Sequence, residues 1–237
     1  MTTATVDRKY ELTSESKPFG SATLYRIRAL RDIPRWGVEA ADLGGWVRSE
    51  ANLLQVGDAW VSGDARVSGD ARVSGNAWVF RDAWVSGDAR VSGDARVSGN
   101  AWVYGNAQVS GDAQVYGDAR VSGDALVYGN ARVYGNAQVS GNANIAAPQH
   151  VLSLSPVGSE DITATLYRTA TGHQAVAGCW GPGTLDDLAA EVKRRRAEVW
   201  MERDPVDIAR WRAQYKHFIR MGNATVKTWH PETGARR

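Results

Sequence analysis

Between Val61 and Ile145 an aliphatic residue recurs at every sixth position, fifteen times without an insertion. The phrases are variations on Val-Ser-Gly-Asp-Ala-Arg, with Asn exchanging for Asp and with Trp, Tyr, Phe or Gln entering beside the aliphatic residue. Six matches neither the helical period of about 3.6 nor the strand period of about 2. It fits a short strand followed by a sharp corner. Val points inward, the Ala four residues later fills the narrow corner, and Gly-Asp or Gly-Asn turns the chain, because Gly and Asn tolerate left-handed backbone at low cost. The residues flanking each Val point outward. Three phrases close one triangular coil. The period therefore predicts a mainly β fold, a single-stranded left-handed parallel β-helix of about five coils, roughly 24 Å tall at about 4.8 Å per coil.

In such a coil, residues eighteen apart stack. One face then carries Trp60, Trp78, Arg96, Gln114 and Arg132, beside a column of Ser62, Phe80, Ser98, Tyr116 and Tyr134. The next carries Arg66, Trp84, Trp102, Arg120 and Gln138, with Tyr104 beside them; the third, from Arg72 to Asn144, is mostly polar. Outward aromatic columns on a soluble surface point to contact with something. Trp60, Trp78, Phe80, Trp84, Trp102, Tyr104, Tyr116 and Tyr134 are candidates for a subunit interface in a side-by-side homotrimer. They are also candidates for a platform on which a base, sugar or partner protein stacks, with Arg alongside. Self-stacked ladders without a partner are the third reading. The interface is favoured for Trp78 with Phe80 and for Trp84 with Trp102.

The repeat occupies residues 51–146 and divides the chain in three. Residues 1–50 read as a β-hairpin cap: strands at Tyr10–Thr13 and Ala22–Leu30, and a turn at Pro18-Phe19-Gly20. In Gly44-Gly45-Trp46, the glycines suit positive φ and the Trp suits a plug for the open end of the core. Residues 147–237 read as a separate module. Ile162–Arg168 and Gln174–Trp180 form a hairpin that Gly181-Pro182-Gly183 breaks. Thr184 caps a first helix striped by Leu185, Leu188, Val192 and Val199. Asp204-Pro205 opens a second, striped by Ile208, Trp211, Tyr215, Phe218 and Ile219, with Gly222 as its stop.

The composition bounds the chemistry. A net charge of +2 carries no overall polyanion signature, although the repeat is slightly acidic and the segment after Ala147 is basic. One cysteine permits neither an intrachain disulfide nor a thiolate metal site. The polar start from Met1 to Tyr10 lacks a signal-peptide core, and no apolar run is long enough to span a membrane, so the expected location is cytoplasmic. Enzymes built on β-helices of this kind need histidines inside the coils as base or zinc ligand, and loops that interrupt the coils. His150, His173, His217 and His230 all lie outside the coils, which are uninterrupted. No catalytic residue, cofactor or metal is therefore expected. Cys179 reads as a packed thiol in an apolar strand. One Asp or Asn per corner offers too few oxygens for calcium. Lys193-Arg194-Arg195-Arg196, on the first helix, is either a solvated face near a helix C-terminus or a contact for phosphate or nucleic acid.

The repeat, with Leu24-Tyr25-Arg26-Ile27-Arg28-Ala29-Leu30 and Asp42-Leu43-Gly44-Gly45-Trp46-Val47 ahead of it, resembles the hexapeptide-repeat proteins of phages and prophages labelled polymer-forming or YdcK-like. Leu166-Tyr167-Arg168, Gly178-Cys179-Trp180 and Gly183-Thr184-Leu185-Asp186-Asp187-Leu188 resemble the C-terminal module that accompanies them. The resemblance implies a left-handed β-helix and a phage or prophage origin, and supplies no reaction. The expectation is a non-enzymatic, trimeric scaffold that presents its C-terminal modules to a host protein, nucleotide or virion partner, in the host cytoplasm or in the virion. An acyl- or nucleotidyl-transferase-like enzyme using a trimer cleft is one alternative. A polymerising filament or tail-fibre subunit is another, which the covered coil ends argue against.

Overall fold

A computed structural model of the chain describes residues 8–229. Two antiparallel strands, β1 (Tyr10–Phe19) and β2 (Ala22–Ala29), lead through a short helical turn at Pro34–Trp36 to β3 (Leu43–Val47). Fifteen two-residue strands follow, β4 to β18, from Trp60–Val61 to Asn144–Ile145. A four-stranded antiparallel sheet comes next: β19 (Val151–Val157), β20 (Ile162–Arg168), β21 (His173–Ala177) and β22 (Trp180–Gly183). Two helices end the described chain, α1 (Leu185–Glu198) and α2 (Pro205–Val226).

The two-residue strands wind as a β-solenoid. Strands three apart in sequence pair in parallel, so Trp84 lies beside Trp102 and Val85 beside Val103, eighteen residues on. Each outward amide donates to a carbonyl of the next coil, as from Trp84 to Ala101 at 2.9 Å and from Ser86 to Val103 at 2.9 Å. The inward Val and Ala side chains are at most 1% exposed from Ala59 to Ile145. The winding begins earlier than the sixfold count suggests. Val47 pairs in parallel with Val67, and Leu53 bridges to Val73. Val47, Leu53 and Val61, then every sixth residue to Ile145, give seventeen inward positions, about six turns rather than five. The longer spacing from Leu53 to Val61 hides the first turn from a strict period.

From Gly57 onward each corner is turned at a glycine of positive φ, except at Arg81, which holds φ 63°; the corner before Leu53 is a short helical turn at Glu50–Asn52. The mixing of Asp and Asn has a structural use beyond diluting charge. Asn76, Asn100 and Asn106 each donate a side-chain hydrogen bond, 2.9–3.0 Å long, to Asp94, Asp118 and Asp124 of the next coil.

The N-terminal strands close one end. Tyr10, Ile27, Ile33 and Leu53 are fully buried against the first coil. Trp46 does not plug the core: its Cα pairs with that of Arg66, which places it in an outward column, and Lys17 lies 4.0 Å over its ring. Trp60 belongs to the buried cap instead. Gly44 and Gly45 adopt ordinary φ; a Cβ at Gly45 would come within 2.7 Å of Val61 and 2.8 Å of the Ala65 carbonyl. Close approach of backbone to core is what requires glycine there.

The C-terminal sheet closes the other end through the period of a strand. In β20, Thr165 and Tyr167 face the solenoid, where the Tyr167 hydroxyl lies 3.1 Å from Ser140 and Thr165 accepts from the Gln138 amide. Ala164 and Leu166 face the helices, whose Leu185, Leu188, Trp211, Tyr215 and Phe218 make a second core. Thr184 caps α1 by accepting from the Asp187 amide, and Asp204 caps α2 by accepting from the Val206 amide. Four details depart from the sequence expectation. Gly181-Pro182-Gly183 does not break the sheet but forms its edge strand, where proline needs no ladder partner. Cys179 is exposed in the tight turn that Gly178, at φ 62°, makes before that strand. Val199 is 56% exposed, and Trp200 fills the core in its place. Gly222 does not stop α2, which runs on to Val226; a Cβ there would meet Leu185 at 2.8 Å, so the glycine serves helix packing.

Candidate functional site

Eight aromatic residues of the solenoid are candidate contacts, and the chain itself occupies several of them. Trp60 is 1% exposed, edge-on to Tyr10, and is removed from any surface role. Trp78 stacks at 4.0 Å on Phe80, and Trp36 of the cap covers it at 4.9 Å. Trp84 and Trp102 stack at 4.4 Å and 8°, and Phe19 at the hairpin tip stands edge-on to Trp84 at 4.8 Å. Trp78, Trp84 and Trp102 donate their indole N–H groups to Ser62, Ser68 and Ser86 of the preceding coil, which lays the rings flat along the prism. Cations complete the ladder: Arg66 over Phe19, Arg96 over Trp36, and Arg120 over Trp102. Tyr104 packs against Trp102, and Tyr116 stacks on Tyr134 at 5.4 Å. Tyr134, 57% exposed, is the most open of the eight. Self-stacking thus engages all of these rings except Trp60, whose contacts are with the cap.

The basic run on α1 does not act as one patch. Arg194 and Arg195 turn to their own helix: Arg194 pairs with Glu191 at 2.8 Å and Glu198 at 2.7 Å, and Arg195 pairs with Glu191 at 2.8 Å. The Arg194 guanidinium, seconded by Arg195, pulls the Glu191 carboxyl down to about 2. Lys193 and Arg196, three residues apart, face the other way, into a groove between α1 and α2 of about 530 Å³. Arg212, Lys216 and Arg220 line the opposite wall at four-residue intervals, one face of α2. None of these five cations has a carboxylate within 4.0 Å among the described residues, whereas Arg210 pairs with Asp207. The rest of the lining, the groove's floor, is mostly apolar: Ala189, Val192, Ala209, Ala213, Tyr215 and Ile219. The groove is missed by reading the run as contiguous. Its signal is helical spacing, which selects Lys193 and Arg196 from one helix and Arg212, Lys216 and Arg220 from the other.

Two of the histidines and the cysteine are engaged in structure, and His217 is exposed on α2. His150 accepts through Nδ1 from the Ala146 amide, and His173 accepts through Nε2 from the Leu185 amide at the start of α1. Burial lowers the His173 pKa, favouring the neutral, accepting ring. His230 lies outside the described residues, as does most of the polar N-terminal stretch. Arg195 reaches Cys179 Sγ at 3.9 Å. Among the described residues no cluster of three or more His, Cys, Asp or Glu side chains is placed to hold a metal ion. No described helix is long and apolar enough to cross a membrane.

The YdcK beta solenoid repeat family model matches this chain over residues 71–87, 83–99, 89–105, 95–111, 113–129 and 125–141, all within the coils. The repeat is similar to that family's along these six stretches. No curated protein matches the chain significantly.

Proposed function

We propose that this chain is a non-enzymatic, phage-type scaffold: a left-handed β-helix, closed at both ends, that holds a C-terminal α/β module and presents its helical groove to an anionic partner. The observation that carries this reading is the set of five cations, Lys193, Arg196, Arg212, Lys216 and Arg220, around one groove without acidic partners. Like charges crowded on adjacent helical turns repel. A folded chain that needed only solubility would intersperse acids there, as α1 does on its other face with Glu191 and Glu198. The solenoid supports the module rigidly, because Tyr167 and Thr165 of the module sheet are inserted into its last coil.

The test is binding of anionic probes to the full chain: poly-glutamate, a single-stranded oligonucleotide and an acidic helical peptide. At least one binds, and weakens at least tenfold between low and physiological-to-high salt, as exposed charge pairs do. The double variant Arg212→Glu with Lys216→Glu loses that binding. A panel in which no probe binds sinks the proposal.

Side-by-side trimerisation remains a second reading, and the exposed Tyr134 with its stacked neighbour Tyr116 favours it. Trp78 and Trp84 are covered by Trp36 and Phe19, so the contact would lie toward the C-terminal coils. A solution mass of one chain, unchanged by Tyr134→Ser, would remove it.

A further inference from the structure

We infer that the groove between α1 and α2 receives an acidic amphipathic helix of a partner protein. The inference rests on the anion-binding reading above and narrows the partner to one class. Its first support is the mismatch between wall and floor. Five cations line the groove, yet Ala189, Ala209 and Ala213 among them are small, apolar and exposed. A floor of alanines lets a rod of backbone approach closely, and a groove of about 530 Å³ accepts a row of apolar side chains.

The second support is spacing. Arg212, Lys216 and Arg220 repeat every four residues, about 6 Å apart along the helix axis. Glu or Asp at four-residue intervals on a helix laid along the groove repeats at the same distance. A carboxylate row then meets a cation row while the occupant's apolar stripe faces the floor.

The alternative occupants fit less well. A second copy docking through the same two helices would set five cations against five, a like-charge contact that costs stability. Single-stranded nucleic acid takes stacking rings beside a positively charged track for its phosphates, and this groove supplies only the track. The one ring lining this groove, Tyr215, is 4% exposed, so no base can stack there. An acidic amphipathic helix uses both the floor and the rim.

The experiment uses the full chain and three probes of equal net charge. The first is a helical peptide with leucines along one stripe and glutamates along its flanks. The second has the same composition scrambled so that no stripe forms, and the third is a single-stranded oligonucleotide. The striped peptide is expected to bind at least tenfold more tightly than the scrambled one. Ala213→Trp, which fills the floor from an exposed position, should weaken the striped peptide at least tenfold and leave the scrambled peptide unchanged. Arg220→Glu should weaken both, with the helical circular dichroism of the protein intact. Equal affinity for the scrambled peptide, or tighter binding of the oligonucleotide, overturns the helix inference while the anion-binding groove stands. Absence of binding by all three removes both.

Discussion

Arginine behaves differently in the two halves of this molecule. On the solenoid, Arg66, Arg96 and Arg120 lie over aromatic rings and are part of the surface packing. On the helices, Arg194, Arg195 and Arg210 pair with acids, whereas Arg196, Arg212 and Arg220 line a groove and pair with none among the described residues. The same side chain closes one surface and leaves the other open. The solenoid is a ladder whose every step resembles the next, so its backbone amides are satisfied by carbonyls a coil away. The module has no repeat, and its second core is assembled once, from Leu166, Leu185, Leu188, Trp200, Trp211 and Phe218. Where chemistry is not consumed by self-stacking, it is available for a partner.

The comparison breaks most visibly under core substitution. Val103→Asp places a carboxylate at a fully buried position in the middle of the stack. It is expected to cost more than about 4 kcal/mol and abolish the folded solenoid, because a buried unpaired charge has no route to water. Phe218→Ala, in the module's core, should cost about 3–5 kcal/mol. Its loss should fall on the helical signal at 222 nm, with the β signal of the solenoid persisting to higher temperature. A single shared transition in both variants would mean that the two regions fold as one unit.

A smaller effect separates corners of the solenoid from one another. Gly93 holds φ 67°, and a Cβ there would lie 2.8 Å from the Gly111 amide nitrogen. Gly93→Ala is therefore expected to destabilise by about 1–3 kcal/mol, from left-handed strain and overlap together. Arg81 already bears the first of these costs, and Arg81→Gly should stabilise by about 1 kcal/mol. Thermal denaturation of the two variants reads opposite signs; the same sign in both would refute the assignment of Arg81 as a strained corner.

The effects of pH divide between the ends. Lys9 is fully buried, its ammonium bonded to the Ala59 carbonyl, and burial lowers its pKa to about 8. Between pH 8 and the unfolded value of about 10.5 the unfolded chain binds more protons at this site, so stability rises with pH through that window. Burial raises the Tyr10 pKa, so above the ordinary value of 10.0 the unfolded phenol ionises first and the trend reverses. The module responds in acid. Glu191, lowered to about 2, contributes stability above its unfolded pKa of 4.5 that is lost as pH falls toward 2. Stability profiles of Lys9→Met and Glu191→Gln should flatten the alkaline and acid limbs respectively. An alkaline limb unchanged in Lys9→Met would show that another group controls it.

The solenoid was legible because one rule, repeated, dictates it. Val, Gly and Ala at fixed intervals fixed the stacking by eighteen, and Thr184 and Asp204 marked the helix starts through their capping chemistry. What was not legible depended on contacts between segments far apart in the chain. Nothing near Trp60 distinguishes it from Trp78, yet the cap buries one and Trp36 covers the other. Glycine is ambiguous in the same way. Gly222 and Gly45 look like conformational signals and are packing signals, since only the facing Leu185 and Val61 reveal why no Cβ is tolerated. The groove fell between the two cases. Its residues were visible, but their grouping required knowing that α1 and α2 lie side by side.

The reach of the N-terminal cap has a consequence for folding. A chain of near-identical phrases can miscount, pairing a coil with its second neighbour and looping out the one between. Hydrogen bonds between coils would barely register the error. The cap does, because its contacts are addressed to particular coils: Trp36 to Trp78, Phe19 to Trp84, and Arg35 to Asp94 at 2.6 Å. Only the second and third of the coils wound from Val47, counted three inward positions to a coil, offer those partners together. The aromatic ladder thereby acts as a set of index marks, and the outward residues that vary within the unbroken repeat tell the chain where counting begins.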